Sequence, residues 1–206
     1  ARASGWLVRA VVGWTDLAAA YAPRHIAELA AEPLLRGLRP MLQDMPDPAW
    51  ILRPDIQPAL AAMATAGLRL DALVKPRHLP FLPELAARHP GLRVVIDHAA
   101  KPEIAAGHFQ PWADAIAVLA RESTWCCKLS GLVTEAGPGW TTADLRPYVE
   151  HLLACFGPER LMWGSDWPVV ELAGGYARWR AATLDLLPES GRDAILGNTA
   201  AAFYGL

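Results

Sequence analysis

Apolar positions along this 206-residue chain fall into two alternating rhythms. Short, nearly continuous apolar runs read as buried strands: "VRAVVGW" (8–14), "GLRPML" (37–42), "LRLDALVK" (68–75), "LRVVIDH" (92–98), "TWCCKLS" (124–130) and "RLMWGSD" (160–166). Between and after them lie helix-like stretches, "APRHIAELAA", "RPDIQPALAAMATAG", "LPFLPELAARHPG", "FQPWADAIAVLARE", "TADLRPYVEHLLACFG" and "YARWRAATLDLL". Several close on a Gly or Pro after the last apolar turn. Each strand-plus-helix unit spans roughly 25 to 35 residues, the size of a βα repeat. No low-complexity linker and no sequence repeat interrupts the series, so residues 1–206 read as one domain.

Strands that alternate with helices predict a parallel sheet covered by helices, either doubly wound or closed into a (β/α)8 barrel. A doubly wound sheet would carry a glycine-rich phosphate turn after an early strand, and neither GxGxxG nor GxxxxGK[ST] occurs. The barrel is favoured. Polar residues also fall at the carboxyl ends of the strands, where a barrel enzyme keeps its chemistry: Lys75, His98, Lys128, Ser130 and Asp166. Strand alternation puts Asp71, Leu73 and Lys75 on one face and Leu70, Ala72 and Val74 on the helix-facing one. The same count groups His98 with Val94 and Ile96, Lys128 with Cys126 and Ser130, and Asp166 with Met162 and Gly164. Three or four polar groups are thereby expected to converge inside one mouth.

Composition narrows the partners. A net charge of −2, with 53% hydrophobic and 19% charged residues, suits a well-cored domain and gives no basic excess for a nucleic-acid partner. The apolar runs are far shorter than the roughly 18 to 20 residues that span a bilayer, and the start "ARASGWLVRA" lacks the apolar core of a signal peptide. A cytoplasmic location and no membrane partner are the expectation. Cys126, Cys127 and Cys155 offer no CxxC, and the adjacent pair would point to opposite faces of a strand, so neither a disulfide framework nor a zinc knuckle is indicated.

The stretches "GLRPMLQDMPDPAWI", "LDALVKPRHLP", "VVIDHAAKP", "CCKLSGL", "LRPYVEHLLACFGPERLMWGSDWPV" and "GNTAAAFYGL", in this order and spacing, resemble the amidohydrolase-related lactonases from end to end. That resemblance implies a (β/α)8 barrel that hydrolyses lactones of sugar acids or related carboxylates, with a sixth-strand His and a last-strand Asp at the reacting centre. Those residues are His98 and Asp166. It also implies that one divalent ion such as zinc, if bound, is held by this pair. Two departures stand out. The family opens on a His-x-His pair, which these residues lack, and "AVVGWTDL" resembles its third strand, so the chain is expected to comprise six of eight βα units. Pro40 stands where some sugar-lactone hydrolases of the family have a His.

Lactone hydrolysis needs a water made nucleophilic, a stabilised oxyanion and a proton for the leaving alkoxide. Asp166 is the expected base, and His98 can orient the water, polarise the carbonyl or act as a neutral metal ligand. Lys75, Arg77 and Lys128, with Arg39 as a weaker addition, suit a substrate carboxylate or oxyanion. His78 is expected to touch substrate, and Trp167 to stand at the mouth. Each has a bland counterpart: a capping Asp166, a core His98 satisfied by a carbonyl, and lysines paired with Asp71 and other acids. The expected partner is a small-molecule lactone or carboxylate, and the apolar edges of a six-strand chain favour self-association into a homo-oligomer. A metal-dependent non-oxidative decarboxylase, or a non-catalytic remnant of such a barrel, is the alternative.

Overall fold

The computed structural model describes residues 7–206. Six parallel strands run in sequential order, β1 (Val11–Gly13), β2 (Leu35–Leu38), β3 (Arg69–Ala72), β4 (Val94–Ile96), β5 (Cys126–Leu129) and β6 (Leu161–Trp163). Each lies within the apolar run that predicted it or overlaps it, and β3 to β6 stop short of the polar residues that end their runs, which belong to the following turns. The helices are α1 (Ala22–Leu29), α2 (Gln57–Thr65), α3 (Leu82–Arg88), α4 (Gln110–Glu122), α5 (Leu132–Glu135), α6 (Thr142–Phe156), α7 (Gly175–Leu186) and α8 (Thr199–Tyr204). The six helices expected from apolar periodicity form within a few residues of their predicted bounds; α5 and α8 are additions. Among the described residues no helix is long and apolar enough to cross a membrane.

Local chemistry explains the helix starts. α1, α2, α3 and α4 carry Pro in their first turn, where its missing N–H costs nothing. α6 opens on Thr141, whose backbone N–H donates to Asp144 Oδ2 at 2.7 Å. In α4 the buried residues Trp112, Ala113, Ile116, Leu119 and Ala120 mark a single face turned to the sheet.

The sheet divides the interior in two. Its outer face, with Leu70, Ala72, Val94, Ile96, Cys127, Leu129 and Leu161, packs under the helices in one large core. The inner face carries Val95 and Met162 and is covered by Phe203 and Tyr204 of α8, with Val12 and Cys126 alongside. The sheet thus curls around α8 as a half-barrel. Cys126 and Cys127 do face opposite sides, and all three cysteines are free.

One register differs from expectation. Val94 and Ile96 face the helices, so the inward residues of β4 are Val95 and then Asp97, and strand alternation would aim His98 outward. His98 reaches the mouth by another route. The backbone of His98, Ala99, Ala100 and Lys101 turns left-handed, with φ of 52°, 50°, 59° and 51°. For L-residues this conformation costs about 1–2 kcal/mol each, and packing holds it: Ala99 and Ala100 are fully buried, and the Trp112 indole N–H donates to the Ala99 carbonyl at 2.7 Å.

Candidate active site

The left-handed turn after β4 and the turn after β6 bring two side chains face to face. His98 Nε2 lies 3.5 Å from Asp166 Oδ1, and both side chains are largely buried. On the other side of the ring, Nδ1 is 2.8 Å from Ser130 Oγ, at the end of β5. Ser130 is buried and its hydroxyl can donate or accept, so this bond fixes the ring plane in either tautomer. The ring also packs on Gly131, where a Cβ would come within 2.8 Å of His98 Cγ and where φ is +67°. Glycine there is what lets the imidazole lie flat against the β5 turn.

Asp166 itself has φ of 56°, also in the left-handed region. Its carboxylate makes no bond to a backbone amide; among the described residues its side-chain partner is His98. The capping role falls to its neighbour, since Ser165 Oγ accepts from the Trp167 N–H at 3.2 Å. The apolar run of β6 therefore ends on an Asp that the local backbone does not use. Burial pushes the His98 imidazole below its ordinary pKa, with Asp97 and Asp166 opposing the shift and Lys101 and Lys128 adding to it. The ring is accordingly neutral at pH 7, able to accept a proton or hold a ligand.

Beneath this pair lies a second polar group that sequence spacing did not resolve. Lys128 Nζ is 2.5 Å from Asp71 Oδ2 and 2.7 Å from Asp97 Oδ1, and the Tyr204 hydroxyl donates to Asp71 Oδ2 at 2.7 Å. The Asp97 contact is within ion-pair range but lacks hydrogen-bond directionality. Burial raises the Asp71 pKa against the pull of Lys128, while the surrounding acids raise Lys128 despite its own burial. Lys128 was expected either as a rim cation or paired with Asp71 and other acids; it is paired, with Asp71 and Asp97 beside it on the inner face. Tyr204 was missed because six-residue α8 is too short to show a clear helical period, although "AAAFYG" ends on the Gly of a helix C-terminus.

The remaining candidates separate. Arg39 NH1 sits 3.6 Å from Asp97 Oδ2, joining the buried cluster from its exposed side. Lys75 is exposed beyond β3, at the rim as expected. Arg77 donates to the carbonyls of Gln43 and Met45 at 3.2 and 2.7 Å, strapping the loop after β2 rather than standing free for an anion. His78 is 3% exposed, and its Nδ1 accepts from the Lys75 backbone N–H at 3.0 Å. It closes its own turn. Trp167 is 69% exposed beside Asp166. Lys101 and Glu135, which the sequence did not single out, also border the mouth; their Nζ and Oε1 are 3.8 Å apart.

With this geometry in hand, comparison with known proteins is informative. The amidohydrolase family model matches residues 2–206. An L-fucono-1,5-lactonase from Burkholderia ambifaria is 48% identical over 204 residues, covering 96% of this chain and 70% of that protein. An L-fucono-1,5-lactonase from Burkholderia multivorans is 38% identical over 217 residues, covering 97% and 72%. The crystal structure of an amidohydrolase from Burkholderia multivorans with bound zinc superposes with a TM-score of 0.90 at 37% identity, covering 99% of this chain and 76% of that one.

Proposed function

Because the chain belongs to the amidohydrolase family, we propose that it is a lactonase opening a sugar-acid 1,5-lactone, built on an incomplete (β/α)8 barrel. The observation that carries this reading is the His98–Asp166 pair: two largely buried groups from the turns after β4 and β6, with the Asp166 carboxylate bonded, among the described residues, to His98 alone. The named lactonases among its relatives favour ester hydrolysis over the decarboxylase alternative. The intact His98–Ser130 support argues against a non-catalytic remnant.

In this reading Asp166 takes a proton from a water as the water oxygen bonds to the lactone carbonyl carbon. The carbonyl electrons move onto its oxygen; their return breaks the ring C–O bond, and the ring oxygen takes the proton back from Asp166. The product is the hydroxy acid. Neutral His98, held by Ser130, orients the water or the carbonyl from the other side. A divalent ion is supported by the zinc in the Burkholderia multivorans neighbour. His98 and Asp166 fit as two of its ligands; a zinc site commonly has three protein ligands, and among the described residues no third His, Cys, Asp or Glu completes the set. Bound there, an ion would polarise the carbonyl and acidify the water. The test is proton release on incubation with 1,5-lactones of sugar acids: hydroxy-acid formation is expected, whereas carbon dioxide release from an aromatic carboxylate without lactone opening would overturn the reading.

A further inference from the structure

Lys101 and Glu135 face each other beside the turns that carry His98 and Ser130. Lys101 ends the strained turn that begins at His98, its N–H donating to the His98 carbonyl at 2.8 Å. Glu135 ends the short helix α5 that starts after Ser130. The same two turns that fix the reacting centre therefore also fix this pair. The two groups stand 3.8 Å apart with side chains 24% and 28% exposed, too far for a tight bond and open enough to be reached. Together with Lys75, Pro76, Arg77 and Glu103 they line a cavity of about 260 Å³. Two of its charges are already engaged, Arg77 by the Gln43 and Met45 carbonyls and Glu103 by His108 at 2.8 Å. Lys75, Lys101 and Glu135 are left to meet a ligand. The cavity neighbours the catalytic pair through the backbone: Lys101 closes the turn that begins at His98, and α5, which carries Glu135, starts from Gly131 against the His98 ring.

An anionic substrate would need only the cations here, and a half-buried carboxylate would repel it. A carboxylate facing the cavity is useful to a ligand that donates, and an ammonium beside it to one that also accepts. Hydroxyl groups do both. We propose that Lys101 and Glu135 form a subsite for adjacent hydroxyl groups of the lactone ring, so that this protein selects polyhydroxylated lactones over bare ones. The inference rests on the lactonase reading above. Glu135 accepts from one ring hydroxyl and Lys101 donates to its neighbour, while the carbonyl lies toward His98 and Asp166.

The experiment compares a hydroxylated sugar 1,5-lactone with unsubstituted δ-valerolactone, using wild type, Glu135→Ala and Lys101→Met, with thermal unfolding measured on each sample. For either variant KM for the sugar lactone should rise about tenfold or more, the effect of losing a charged hydrogen bond, while KM for δ-valerolactone stays within about twofold. Equal losses on both lactones, or none on either, would overturn the subsite and leave lactone hydrolysis standing. Wild type opening neither lactone would overturn the lactonase reading, and the subsite with it. Should Glu135→Ala not fold, Lys101→Met alone gives the same comparison.

Discussion

Among single residues, the proposed reaction depends on keeping one histidine neutral and still. Burial holds the folded-state pKa of His98 below 6.5. The sign follows: stability and activity that need the neutral ring are fully present above pH 6.5 and are lost as pH falls through the lower folded value. The acid limb of kcat/KM governed by His98 should therefore lie below pH 6.5. Removing the Ser130 hydroxyl frees the ring to rotate, so Ser130→Ala should lower kcat about 10- to 100-fold, as lost support for a catalytic His typically does, with Ser130→Thr recovering part of the loss. A pH–rate profile of both variants checks this; an unchanged kcat in Ser130→Ala would remove Ser130 from the assembly. The place of His98 and Asp166 at strand ends was legible in the sequence. The backbone that delivers them was not, because four consecutive left-handed L-residues oppose local preference and persist only through the Trp112 contact and the surrounding core.

At the scale of elements, β3, β4, β5 and α8 are joined across the inner face by Asp71, Asp97, Lys128 and Tyr204. Alternation along β3 and β5 correctly put Asp71 and Lys128 inside, since both lie on regular strand. It failed for His98, where β4 had already ended, and it could not see α8 at all. Pairing of Lys128 with Asp71 was among the alternatives the sequence offered; the part played by Asp97 and Tyr204 was not, because it comes from tertiary contacts that spacing does not encode. Removing one member leaves buried charge uncompensated: Lys128→Met should cost about 3–5 kcal/mol near neutral pH. The loss should shrink in acid. Asp71 is raised above its ordinary 3.8, so without Lys128 the folded state takes up a proton over a window above that value that the unfolded chain does not, and stability recovers as pH falls into it. Urea unfolding of wild type and variant at pH 7 and pH 5 measures the difference; a loss that does not shrink at pH 5 would mean that the cluster contributes through packing alone.

At the scale of the whole molecule, six parallel strands in sequential order, helices outside and polar turns at one end were readable from the two apolar rhythms alone, because buried strands and amphipathic helices leave periods that tertiary context rarely overrides. The open edges expected of a six-strand sheet are seen among the described residues, where β1 and β6 each pair with one neighbour; the filling of the inner face by α8 was not readable. What the curled sheet preserves is the end where β4, β5 and β6 present His98, Ser130 and Asp166. In the proposed reaction Asp166 is placed there as a base. Asn tolerates the left-handed backbone at this position at least as well as Asp, so Asp166→Asn should fold with little change in stability while removing the proton acceptor. Turnover of a sugar 1,5-lactone and thermal unfolding, measured on the same Asp166→Asn sample, give the most direct test. A fall in kcat of about a hundredfold or more in a protein that unfolds like wild type is expected; near-normal turnover in the folded variant would contradict the assignment.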